Sequence, residues 1–426
     1  MKNSMVSLIA LISFSLNGQV KFNPIVSSNP DNTNYSDFEN IRIDFSKYSI
    51  IGIGEATHGT SEFHTIRHRF FKYLVQEKGF TTLYLEEDYS ACANINRAIT
   101  GESNLDFDSL LGDIRLIPWA CDEFKEILCW MKEENKSRTK EQKLQLVGVD
   151  LQSLWFTLYH TGAEATKQHL SFIKDICKTT RPVKSEYDMN REGKTNYTPE
   201  IIANIERFIE DSSSMSKYQE LHFLLKQLLL IHPYVVNMNN FSWSREKQGY
   251  YRDSCMARNI IEWQENNKNS KGIYYAHNSH VSNANKTYKN GYQKTRCGWW
   301  LKQASGEDYY TIATDFHTGT FNAFRSHKRS KNKRYQPIYI DKVSRKSLAR
   351  CIQSSVSPIA FLETKSNTDL KDRYLTSIGI GYNGRNKRGD TYYRYYNNLP
   401  LKLFDAVFYF ENTEESKYWS YNVGLK

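Results

Sequence analysis

Seven short runs of β-branched, aromatic and aliphatic residues punctuate the chain: Ser49–Gly54, Thr81–Leu85, Leu144–Val149, Gly272–Ala276, Tyr309–Thr314, Ile359–Leu362 and Phe404–Phe410. Each is too short for a helix and apolar on consecutive positions, the pattern of a strand buried on both faces. Between them the period changes. Phe63, Ile66, Phe70 and Leu74 recur at spacings of three and four, which lines one helix face with apolar side chains. Strand alternating with helix predicts an α/β fold, a central and mostly parallel sheet flanked by helices. From about 154 to 265 the strand signal stops. Amphipathic spacings such as Ile201, Ile205, Ile209 and Leu221, Leu224, Leu225, Leu228 replace it. This predicts a large helical insertion, placed either as a lid or wall over a cleft at the strand ends or as a purely structural helical layer. With no internal repeat and no low-complexity linker, residues 19–426 are read as one domain.

Composition narrows the class. In 426 residues, 14% aromatic content and 24% charged residues describe a chain able to bury a sizeable core, not a disordered or fibrous one. The net charge of +10 raises the question of a polyanion partner. Its densest run is Arg325, Lys328, Arg329, Lys331, Lys333 and Arg334, interleaved with Ser and Asn rather than stacking aromatics, so it reads as a solvated loop and no nucleic-acid partner is expected. Residues 1–18 run from Lys2 through an apolar stretch, Met5 to Leu16, to Asn17-Gly18, the layout of a secretory signal. That stretch is too short to span a bilayer. As a signal it directs the chain to the periplasm or outside the cell. The competing reading, a buried first strand or helix, leaves it cytoplasmic. Seven scattered cysteines with no CxxC pair give no zinc or redox motif, and no cofactor is expected.

Three strand ends carry the candidate chemistry. Gly52-Ile53-Gly54-Glu55-Ala56-Thr57-His58-Gly59-Thr60-Ser61-Glu62 lies between an apolar strand and a helix, with Thr60 or Ser61 as candidate helix N-cap. Ligands bind in open α/β sheets at such carboxyl ends, so Glu55 and His58 face a cleft. The glycines match neither a dinucleotide fingerprint nor a P-loop. Ala276-His277-Asn278-Ser279-His280 follows the Gly272–Ala276 strand and adds two histidines, the side chains that exchange protons near neutral pH. Glu86-Glu87-Asp88 follows Thr81–Leu85, and Arg67 on the helix after His58 can reach a carboxylate or an anionic intermediate. The chain has no GxSxG elbow and no cysteine in a nucleophile context, which disfavours a covalent acyl-enzyme. Glu55, His58, His277 and His280 also make a donor set that zinc accepts, so a metal-dependent hydrolase is the alternative from these residues alone.

The GEATHG motif with a downstream arginine, the strand-end Glu86-x-Asp88 and the AHNxH motif resemble the erythromycin esterase family. Further similarities follow in family order: Trp119 with Glu123, Trp130-Met131, Gly148-Val149-Asp150, Arg252-Asp253 with Met256-Ala257, Gly298 with Leu301, and Phe404-Asp405-Ala406. The resemblance implies a metal-free ester hydrolase that opens the lactone of 14-membered macrolides such as erythromycin, conferring resistance. In that reading His58 is the general base, Glu55 adjusts it, and Arg67, Glu86, His277 and His280 line the site. Arg67 or a histidine would steady the developing oxyanion, and Glu86 would position water or Arg67. Tyr89, Trp119, Trp155, Phe156, Tyr250, Trp299 and Trp300 are candidate walls for a broad apolar ring. Another ester or lactone is the alternative substrate, and oligomeric state is left open.

Overall fold

The computed structural model describes residues 20–419 except 104–106, 112–113, 115, 152–153, 178–197, 240–241, 269, 288–292, 326–334, 342, 344–345, 353–356 and 383–398. The expected signal at 1–18 and nearly all of the basic run at 325–334 lie outside the described residues.

All seven apolar runs are strands of one ten-stranded sheet. They are β1 (Ile50–Glu55), β2 (Thr82–Asp88), β3 (Gln145–Asp150), β4 (Gly272–His277), β5 (Tyr309–Arg325), β7 (Ile359–Glu363) and β8 (Ala406–Thr413). The order across the sheet is β7-β8-β5-β1-β4-β2-β3. Pairing is parallel from β8 to β3, and β7 is antiparallel to β8. Side chains alternate between faces with a period of two, and both faces are covered. Ile51, Ile53, Leu83, Leu85, Ile273, Tyr275, Phe408 and Phe410 join one core, while Ile50, Tyr84, Tyr274, Ala276, Val407 and Tyr409 join another on the opposite face.

The first core is closed by α1 (Ser61–Lys78), whose Phe63, Ile66, Phe70 and Leu74 are fully buried as the spacing predicts. α1 ends at Gly79, where φ of 73° places the chain in the left-handed region that suits glycine. α2 (Tyr89–Thr100) and α3 (Asp122–Glu134) also flank the sheet. The described part of the insertion holds helices joined by turns, and no strand: α4 (Leu154–Lys167), α5 (Ser171–Cys177), α6 (Pro199–Asp211), α7 (Gln219–Asn239) and α8 (Arg245–Asn266). Ile205, Leu221, Leu225 and Leu228 form a third core there, so this layer has an interior of its own.

Two strand features depart from the sequence reading. β5 runs on to Arg325, well past Thr314, and β6 (Tyr335–Ile340) pairs antiparallel with its far half. Asp315, His317 and Gly319 interrupt the apolar run there, yet the backbone stays extended because β6 and β8 continue to hydrogen-bond it. Gly319 has φ of 136°, and a Cβ there would lie 2.2 Å from the Thr413 carbonyl oxygen. None of the seven cysteines is in a disulfide, and Cys92, Cys121, Cys255 and Cys297 are buried as small apolar groups. Among the described residues no helix is long and apolar enough to cross a membrane.

The segment before β1 is fastened to α1 by Arg69, which is fully buried. Its five N–H groups meet both Asp37 carboxylate oxygens at 2.7 and 2.8 Å and the carbonyls of Ser27, Asn32 and Asn34. Removing one partner of a buried pair leaves the other charge uncompensated. Asp37→Ala is therefore expected to lower the unfolding free energy by roughly 3–5 kcal/mol in urea titrations at neutral pH. A loss of under about 1 kcal/mol would mean that the pair contributes no more than an exposed one.

Candidate active site

The carboxyl ends of β1, β4 and β2 bring the predicted residues together. Glu55 and His277 are register partners, the last residues of two adjacent parallel strands. Beyond them the sheet opens, because the four-residue helix α9 (Asn278–Val281) begins at once. Asn278 closes the gap to β5: its Nδ2 donates to the Thr314 carbonyl at 2.8 Å and its Oδ1 accepts from the Thr314 N–H at 3.1 Å. This requires a bare backbone opposite. A Cβ on Gly54 would lie 2.2 Å from Asn278 Oδ1 and 2.7 Å from Asn278 Cα. The turn carrying His58 is held at Gly59, whose carbonyl accepts N–H groups from Asn322 and Ser416 at 2.9 and 3.0 Å.

Glu55 divides its carboxylate. Oε1 is 2.6 Å from His58 Nδ1, and Oε2 accepts from Arg67 Nη2 at 2.7 Å. Burial alone would push the Glu55 carboxyl up, but the Arg67 charge and the His58 hydrogen bond outweigh it and bring it from 4.5 to about 2. An ionised carboxylate can only accept, so His58 Nδ1 carries a proton and the other ring nitrogen, Nε2, is left uncommitted. Burial draws the His58 pKa down. The Glu55 hydrogen bond and charge, with Glu86 adding to them, raise it above the ordinary 6.5. His58 keeps 14% of its side chain exposed, against 1% for Glu55.

His277 lies with its ring centroid 5.1 Å from that of His58 but in a different environment. Its Nδ1 accepts the Ser279 N–H at 3.2 Å, which places the ring proton on Nε2. That buried Nε2 has no hydrogen-bond partner among the described residues. Burial and the neighbouring His58 and His280 hold the His277 pKa well below 6.5, so the ring is neutral. Glu86 stands on the other side, accepting the His277 backbone N–H on Oε2 at 2.8 Å, with His280 Nε2 3.3 Å from Oε1.

Glu55, His58, Glu86, His277 and His280 thus share one site. Arg67 belongs to it only indirectly. It is fully buried behind Glu55, with its guanidinium between the rings of Trp119 and Tyr275 at 5.2 and 4.8 Å. Of the two roles expected of Arg67, it takes the bond to a carboxylate, Glu55; with no exposed surface it is not placed to steady an oxyanion. Glu86 does not position Arg67 either; its cationic partner is Arg252 at 2.8 Å. Two expected pocket walls belong to the interior: Trp119 is 1% exposed and donates its indole N–H to the Glu86 carbonyl, and Tyr89 packs on Phe223. Tyr250, Trp299 and Trp300 form a half-buried aromatic cluster. The side chains of Trp155 and Phe156 lie outside the described residues. At the start of α1, Thr60 occupies the N-cap position without a side-chain cap, and Ser61 donates instead to Glu123 at 2.7 Å. Among the described residues, no group of three or more His, Cys, Asp or Glu side chains is arranged to hold a metal ion.

The contacts of Asp150, Arg252, Asp253 and Arg296 with the site residues escape a sequence reading, although the first three stand in motifs that resemble the family. An Asp closing an apolar strand, and an Arg-Asp pair on an otherwise amphipathic helix, are the signals that point to them.

A model of the erythromycin esterase family matches residues 75–413. The chain belongs to the erythromycin esterase family. The matched span contains Glu86, His277 and His280, while Glu55, His58 and Arg67 precede it. Among curated proteins, the chain is 23% identical over 326 residues to erythromycin esterase type II of Escherichia coli, covering 70% of this chain and 75% of that protein. It is also 23% identical over 372 residues to the putative hydrolase YbfO of Bacillus subtilis, covering 78% and 79%. Among solved structures, a Bacillus cereus protein aligns with a TM-score of 0.72 at 18% identity, covering 94% of this chain and 97% of that one. A mutant of the erythromycin esterase EreC in its open conformation aligns with a TM-score of 0.64 at 16% identity, covering 93% and 98%. The α/β fold of the erythromycin esterase family is therefore shared at low sequence identity.

The Glu55 charge also sets a pH dependence of stability. Its folded-state carboxyl titrates below 4.5, so the ionised form contributes stability above that pH and the contribution is lost as pH falls toward 2. Urea titrations between pH 6 and 3 are expected to show part of a loss whose full extent is roughly 3 kcal/mol, and a shallower fall in Glu55→Gln. Identical slopes in the two proteins would show that Glu55 is not held ionised.

Proposed function

We propose that the protein is a carboxylic ester hydrolase that opens the lactone of 14-membered macrolides such as erythromycin, with water as the nucleophile. The carrying observation is the 2.6 Å His58–Glu55 pair at the rim of the site, which leaves His58 Nε2 available as a base. Family membership and the likeness to an erythromycin esterase support the substrate.

His58 Nε2 takes a proton from water as the water oxygen bonds to the carbonyl carbon. Negative charge moves to the carbonyl oxygen, where the unpartnered His277 Nε2–H is the donor available to meet it. The intermediate collapses by breaking the ring C–O bond, and the departing alkoxide takes the proton from His58. The sum is ester plus water to acid plus alcohol. Glu55 keeps the His58 proton on Nδ1 and stabilises the imidazolium between the two transfers, the role of the acidic member of hydrolytic triads. A different ester or lactone on the same machinery is the second reading, supported by the relative known only as a putative hydrolase.

Mass spectrometry of erythromycin incubated with the purified protein is expected to show a gain of one water that survives EDTA. His58→Ala is expected to lower kcat/KM by roughly 10²–10⁴-fold, and His277→Ala to lower kcat by roughly 10²–10³-fold. No product from erythromycin, with turnover of other esters lost in His58→Ala, would move the reading to the second substrate class. Loss of turnover in EDTA, restored by metal, would overturn the metal-free step. The base must be unprotonated, so activity should rise with pH through a midpoint above 6.5, where Glu55 holds His58. Glu55→Gln removes the charge that raises that pKa, and the acid limb should move to lower pH. An unmoved limb would assign the titration to another group.

A further inference from the structure

Helix α8 presents two adjacent charged residues, Arg252 and Asp253, to the strand-end groups. The Arg252 Nε is 2.7 Å from Asp150 Oδ1, its Nη2 also bonds Asp150 Oδ2, and the same Nη2 donates to Glu86 Oε1 at 2.8 Å. One guanidinium thus joins the last residue of β3 to the carboxylate near the end of β2. Without it, two buried carboxylates would face one another uncompensated. Asp253 is fully buried. Its Oδ1 is 2.7 Å from His280 Nδ1 and accepts the Cys297 N–H at 2.9 Å, and its Oδ2 accepts from Arg296 at 3.0 Å. The carboxylate can only accept from His280, so Nδ1 carries a proton, and Nε2 stands 3.3 Å from Glu86 Oε1.

Building on the hydrolytic reading above, we propose that Arg252 and Asp253 are positioning residues for the reaction: Asp253 fixes the His280 ring and the proton on its Nδ1, and Arg252 fixes Glu86. The helical insertion then sets the orientation of groups that the sheet carries. A pair that merely docked the helix would affect stability and leave the His280 proton where it is. A positioning pair sets that proton, and small misplacements in such sites lower turnover more than binding.

The test uses the full chain labelled with ¹⁵N-histidine, with His280 assigned by the signals that vanish in His280→Gln. In the unsubstituted protein, His280 should show a hydrogen-bonded proton on Nδ1. Asp253→Asn leaves only a neutral and weaker acceptor there and should shift that Nδ1 proton signal, while the His58 signals stay in place. With erythromycin or another ester that the protein turns over, Asp253→Asn should lower kcat by about 10²-fold with KM little changed. Arg252→Lys keeps the charge but cannot fork to two carboxylates. It should shift the His280 Nε2 resonance and lower kcat in the same sense, and it serves if Asp253→Asn does not fold. Unchanged His280 signals in a folded variant, or an undiminished kcat, would overturn the proposal. If no ester is turned over by the unsubstituted protein, the hydrolytic reading fails, while the His280 signals still decide whether Asp253 holds the Nδ1 proton.

Discussion

The site depends on a negative charge that the sheet would otherwise not tolerate. Glu55 has no exposed surface and ends the central strand β1, where desolvation opposes ionisation. Arg67, one helix further on, reverses that preference, and its own guanidinium lies between two aromatic faces with Nε bonded to the Phe63 carbonyl at 2.9 Å. A buried pair of this kind is a weak source of net stability compared with apolar packing, but breaking it is expensive. Its consequence lies at the other carboxylate oxygen. Because Arg67 holds one side of Glu55 in the core, the second oxygen is fixed toward His58 at the rim, and the sheet's rigidity passes to a side chain in a turn.

A second set of charges arrives from the opposite direction. Glu86 and Asp150 stand on strands, whereas Arg252 and Asp253 stand on α8 and Arg296 just before α10 (Cys297–Ser305). The strands carry two of the three clustered carboxylates and α8 the third, while Arg252 on α8 and Arg296 before α10 supply the charges that make the cluster compatible. Neither half satisfies itself. The insertion is thus joined to the sheet by these charges as well as by an apolar core in which Phe223, Leu224, Met256 and Ile260 pack with Tyr84, Val147, Val149 and Tyr274.

How much of this the chain discloses locally depends on sequence separation. The seven strands and the α1 stripe were legible because each is a pattern within a few residues: Ile50 through Glu55, or Phe63, Ile66, Phe70 and Leu74. Five residues of the candidate cluster are legible because they sit directly after such strands. β6 and the far half of β5 were not, since polar residues there are held extended by partners rather than by their own pattern. Arg67 is legible as a cation that reaches a carboxylate, and Glu55 is that partner, but helix periodicity does not say how deeply a long side chain is buried. Arg252 reaches Asp150 and Glu86 across 102 and 166 residues, separations at which no local pattern operates.

The two neighbouring histidines show why residue type alone did not assign roles. His58 and His277 are within 5.1 Å, yet their environments push their pKa values apart, the condition under which roles become distinct. His58 faces a carboxylate on Nδ1, so gaining a second proton on Nε2 is favoured. That suits a group that must accept one from water. His277 faces a backbone N–H on Nδ1 and two histidines around it, so a second proton is opposed and Nε2 remains a neutral donor. Exchanging the roles would require the base to be the ring that resists protonation and the donor to be the ring whose free nitrogen is a lone pair. The backbone settles the difference: Ser279 directs its N–H at His277 because α9 begins there, and α9 can begin there because Gly54 leaves room for Asn278.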